Sequence, residues 1–167
     1  HRVMPNLSTP NVGDYRFHSQ YGVGLVRIVK DNDVVIDFER NQHFPTTLAL
    51  LKASTKQVKP NSYRAFIFED RAAALEMIDE DPVQALTLVL NDFNGRAKTE
   101  EIRDYLAPYF ASRDWSKWWK NTQPLLKRAE HIDTSRSDQR EYSLRTNRIS
   151  EAEEAYQEFV RVRTKLA

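Results

Sequence analysis

"RDWSKWWKNTQPLLKRAEHI", residues 113–132, places three tryptophans within five positions and surrounds them with lysine and arginine. At about 100° per residue on a helix, Trp115, Trp118, Trp119, Thr122, Leu125, Leu126 and Ala129 fall within one sector of roughly 120°. Arg113, Lys117, Lys120, Lys127 and Arg128 gather opposite, within roughly 100° of one another. The stretch therefore predicts an amphipathic helix with a core side and a cationic side. The rings read as core, because three tryptophans used as a base-stacking platform would normally be separated by exposed positions. Pro124 falls within the cationic side, where its missing N–H and its ring predict a kink or a break into two short helices.

Upstream, "KTEEIRDYLAPYF" (98–110) predicts a helix with Ile102, Tyr105 and Leu106 on one face, ended or kinked at Pro108. Before it, "DPVQALTLVLNDFNG" (81–95) predicts another, capped by Asp81 with proline at its first position and stopped by Asn94-Gly95. Downstream, "HIDTSRSDQREYSLRT" (131–146) sets a polar tip between two short extended arms, as a hairpin or wing does. Three helices followed by a hairpin is the order of a winged helix, here spanning 82–148. The third helix of such a domain enters the major groove, so the cationic side joins Arg136, Arg140 and Arg145 of the wing as candidate contacts to double-stranded DNA. The competing readings are a solvated face and a surface for an acidic protein partner. Residues 61–81 read as an acidic helical linker. Residues 149–167 read as a C-terminal helix opening on the capping box of Ser150 and Glu153.

Residues 12–60 change character. Short strand-like runs, "VGDYRFHSQ", "GLVRIVKDN", "DVVIDFE", "HFPTT" and "KQVKP", follow an eleven-residue tail and predict a small SH3-like barrel. Its expected core is Val26, Val35, Ile36 and Phe38. Tyr21 and Phe44 are candidate anchors for a partner, although Phe44 before Pro45 suits a plug at the barrel end equally well. The fold class expected for the chain is α+β, a small barrel followed by a winged-helix-like domain.

The formal net charge of +1 excludes a polycation, so any nucleic-acid surface must come from segregated charge. Residues 61–112 hold 5 Lys+Arg against 10 Asp+Glu, whereas residues 113–148 hold 9 against 5. The absence of cysteine excludes disulfides, a zinc ribbon and a thiol nucleophile, and fits a cytoplasmic setting. His1, His18, His43 and His131 lack ligand spacing, the "DEDP" cluster at Asp79–Pro82 reads as helix-terminal charge, and no nucleophile elbow occurs. We expect no catalysis, no metal and no cofactor. Apolar runs such as "LTLVL" are too short to cross a bilayer, so no membrane partner is expected.

Gly13-Asp14, His18, Tyr21-Gly22-Val23-Gly24, Val26 and Val35-Ile36-Asp37-Phe38 resemble a Tudor-like family found in bacterial repair helicases and RNA polymerase partners. That resemblance covers residues 12 to 59 and implies a docking module for RNA polymerase or another protein of the transcription and repair machinery. The pairing of "EEIR" (100–103) with "WSKWW" (115–119) is similar to the N-terminal extension of long Gre-type transcript cleavage factors, over residues 82–132. Such factors cleave through an acidic-tipped coiled coil that has no counterpart in "SEAEEAYQEFVRVRTKLA" (150–167), one helix without a returning partner. The expectation is a non-catalytic adaptor that binds RNA polymerase, nucleic acid or both. Its rival is a protein-interaction module without nucleic-acid contact.

Overall fold

A computed structural model describes residues 9–145 and divides the chain after Pro60 into two units. The expected C-terminal helix, residues 149–167, lies outside the described residues.

In the first unit the strand-like runs form β1 (Tyr15–His18), β2 (Gly22–Lys30), β3 (Asp33–Phe38), β4 (Asn41–Thr47) and β5 (Thr55–Val58), in the order β4-β3-β2-β1-β5 and antiparallel throughout. The period of two holds in β3, where Val34, Ile36 and Phe38 are buried and pack with Val26 and Leu51. Val35, expected in that core, falls on the alternate face, opposite Ile28 and Pro45 of the neighbouring strands. The expected barrel is not closed. Edge strands β4 and β5 do not pair with each other, because the chain between them forms a helix, α1 (Leu48–Ser54), whose Leu51 completes the core. Two glycines explain the Tyr21–Gly24 motif. A Cβ on Gly24 would lie 2.6 Å from the Phe38 ring, and Gly22 has φ +81° where Glu39 accepts a hydrogen bond from the Val23 N–H.

The second unit begins with α2 (Tyr63–Glu69) and α3 (Arg71–Glu80), two helices separated at Asp70, which caps α3. They occupy most of the stretch expected to be a linker, and Tyr63, Phe66, Ile67, Ala74, Met77 and Ile78 enter the unit's core. Asp81 caps α4 (Pro82–Asp92), as its proline at the first turn predicts, and Gly95 follows with φ +93°. Then come β6 (Arg96–Lys98), α5 (Thr99–Phe110), α6 (Trp115–Arg128), β7 (Ile132–Asp133) and β8 (Glu141–Leu144), with a single 3-10 turn at Ser137–Gln139. The three strands form a sheet in the order β6-β8-β7. Leu86, Leu90, Ile102, Leu106, Leu126 and Tyr142 link helices and sheet in one core. A helix, a strand, two helices and a two-stranded wing is the winged-helix order, which places α6 third among α4, α5 and α6. No described helix is long and apolar enough to cross a membrane.

Candidate nucleic-acid interface

The turn between α5 and α6 fixes where the cationic helix begins. Ala111 takes φ +53°, and Asp114 caps α6 by accepting from the Lys117 N–H at 3.3 Å. Between them Arg113 turns inward to bind Asp79 on α3 at 2.8 Å, and donates also to the carbonyls of Leu75, Tyr109 and Phe110. This corrects the assignment of Arg113 to the cationic face: it lies before the helix, and its donors are taken up by a carboxylate and helix-terminal carbonyls. Its hydrogen bond holds the Asp79 carboxyl below the usual carboxylate value.

The tryptophans are half-buried against the core, as their phase predicts. Trp115 and Trp119 stack with centroids 5.3 Å apart, and Trp118 meets Phe110 edge-on at 5.0 Å. Trp118 Nε1 donates to the Ile78 carbonyl at 2.8 Å, and Trp119 meets Tyr142 of β8 edge-on at 5.4 Å. The helix is thus held to α3 on one flank and to the wing sheet on the other. Within it, Thr122 and Leu126 are fully buried. Leu125, expected on the core side, is 37% exposed instead. The expected break at Pro124 does not occur, and α6 runs unbroken through it. Proline and leucine both lie at the solvent, so the carbonyl that Pro124 leaves without an N–H partner is not sealed in the core.

Lys117, Lys120, Lys127 and Arg128 are exposed and form no ion pair among the described residues. The wing arginines differ from one another. Arg140 is exposed in the left-handed region at φ +60°, and its carbonyl accepts from the Thr99 N–H, which ties the wing to the start of α5. Arg136 is exposed but pairs with Glu141 at 3.4 Å. Arg145 lies beyond the wing tip, where its Nε donates to the Glu130 carbonyl and its N–H to that of His131. It closes the base of the wing, and its side chain is exposed. Sequence reasoning missed β6, although Arg96-Ala97-Lys98 alternates exposed, buried and exposed, and it missed Asn121, exposed on α6 between the lysines.

In the first unit Tyr21 and Phe44 are half-buried, 5.5 Å apart, and pack on Phe38. His18 stacks on Tyr21 at 4.3 Å. These rings cover one side of the small core, so each offers at most one face to a partner.

Residues 64–149 match the model of the GRAD helix-turn-helix domain, a range that starts in α2 and takes in the whole winged-helix arrangement. The chain belongs to the GRAD helix-turn-helix family. Of known relatives, it is 24% identical over 149 residues to the "Putative GreA-associated domains protein" of Treponema pallidum (strain Nichols), an alignment covering 88% of this chain. The chain spans 23% of that relative's length. No solved structure matches it significantly. In the GRAD domain, α2 and α3 are integral: Asp79 and the Ile78 carbonyl of α3 hold the two ends of the turn that aims α6.

Proposed function

We propose that the GRAD domain binds duplex DNA through the outer face of α6 and the wing tip, as a non-catalytic module in cytoplasmic transcription. The observation that carries this reading is that Lys117, Lys120, Lys127 and Arg128 stand exposed and free of acidic partners on the second helix of the helix-turn-helix pair. A cation held in an ion pair has to break it to meet phosphate, whereas a free one exchanges only water and counterions. Arg140 and Arg136 extend the footprint, the latter at the cost of a weak exposed ion pair. Arg113, taken up by Asp79 and three carbonyls, positions the helix, and Arg145 braces the base of the wing. The name of the Treponema pallidum relative supports a place beside transcript cleavage factors.

For the first unit we propose a Tudor-like docking role toward RNA polymerase or another protein of that machinery, with Tyr21 and Phe44 at its contact edge. Their ring faces are supported from beneath by Phe38, so they would meet a partner without losing much rotamer freedom.

An NMR titration of the labelled chain with an unlabelled duplex tests the placement. Amide shifts should cluster at residues 117–128 and 134–140 and leave α2 and α3 unmoved. Shifts centred on α2 and α3, or none at saturating duplex, would reject the interface and favour the protein-interaction reading.

A further inference from the structure

The outer face of α6 carries three residues that helix stability alone disfavours. Asn121 is a weak helix former at an exposed mid-helix position, Pro124 removes a backbone hydrogen bond, and Leu125 exposes apolar surface. Departures from local preference that gather on one exposed face are expected where a surface has a task besides folding. Asn121 and Leu125 lie one turn apart, four residues in sequence, so their side chains are neighbours on the helix. Gln123, the other side-chain amide that follows on α6, reaches toward Tyr142 at 3.5 Å and is only partly exposed. The Asn121 amide makes no side-chain hydrogen bond among the described residues, so its donor and acceptor are both available.

We propose that Asn121 and Leu125 read an adenine–thymine base pair in the major groove, which rests on the duplex-binding reading above and adds sequence preference to it. A free carboxamide pairs with adenine through two hydrogen bonds, accepting from N6 and donating to N7. An exposed leucine beside it offers an apolar contact to the thymine C5-methyl, a group that cytosine lacks. The cations on either side, Lys117 and Lys120 before it and Lys127 and Arg128 after it, supply phosphate contacts, which favour no base. Sequence choice therefore belongs to the two uncharged side chains.

Fluorescence anisotropy at one salt concentration, with two duplexes of equal length, one all guanine–cytosine and one with a central adenine–thymine block, measures the preference. Wild type should favour the second by about five- to hundredfold, the discrimination of one good bidentate contact. Asn121→Ala should lose most of that preference, the remainder being the Leu125 contact to the thymine methyl, while keeping the affinity of wild type for the guanine–cytosine duplex. Replacing adenine by 7-deazaadenine, which lacks the N7 acceptor, should weaken wild type and leave Asn121→Ala unchanged. Replacing thymine by deoxyuridine, which lacks the methyl group, should weaken wild type and leave Leu125→Ala unchanged. Equal wild-type affinity for the two duplexes, or a preference that is undiminished in Asn121→Ala, overturns the inference and leaves duplex binding intact. Binding to neither duplex overturns both.

Discussion

Arg113 donates to Asp79 and to three carbonyls, whereas Lys117, four residues on, touches nothing that is charged. Their substitutions should therefore separate stability from binding. Arg113→Ala should lower unfolding free energy by about 2 kcal/mol, because it strips charge-assisted hydrogen bonds from partly buried acceptors. Urea denaturation should record that loss, while Lys117→Ala should unfold with wild type. The Arg113–Asp79 pair also has a direction in pH. Because the carboxyl is held below its usual 3.8, its contribution is complete above that value and is lost as acidification passes through the depressed folded value. Thermal melts of wild type and Asp79→Asn should differ at neutral pH and converge in strong acid, modestly, since Asp79 is more than half exposed. Trp118 adds a third test at this scale. Trp118→Ala removes both the Ile78 hydrogen bond and the Phe110 contact and should destabilise the second unit by about 3 kcal/mol. Trp118→Phe should recover most of that.

Among the elements, α6 shows most clearly what sequence can and cannot convey. Its cationic face and its tryptophan flank follow from the 3.6-residue period, whereas its start at the Asp114 cap does not. The exposure of Leu125 was not visible, because period assigns a phase while burial depends on which neighbours arrive, and none covers the last turns of α6 there. Arg113 was misassigned for a related reason: helical phase was extended one residue past the cap, to a position whose partner, Asp79, is 34 residues away. In β2 the need for glycine at Gly24 is not visible locally, because the clash that forbids a side chain there comes from Phe38 and Ile36 of the facing strand. The helix α1 escaped notice because its seven residues, two turns, are too few to display a helical period. Gly24→Ala should accordingly destabilise the first unit by about 1–3 kcal/mol, by overpacking against β3. Circular dichroism of the isolated variant unit would show the loss. Pro124→Ala should do the reverse for α6 and raise the melting temperature of the second unit, since a helix-interior proline costs up to about 3 kcal/mol.

For the whole molecule, each unit carries its own core, and the GRAD match falls within the second. A chain starting at residue 61 should therefore bind duplex as the full chain does, and residues 9–60 alone should not. The central claim is that the free lysines of α6 meet phosphate, and salt dependence reports phosphate contacts by number. The deciding measurement is a fluorescence-anisotropy titration of the full chain and of its Lys117→Ala, Lys120→Ala double variant against one duplex at several salt concentrations. With both lysines on phosphates, the logarithmic salt slope of the variant should be shallower by about two units. Equal slopes for the two proteins would contradict the account and leave the outer face of α6 as solvated surface.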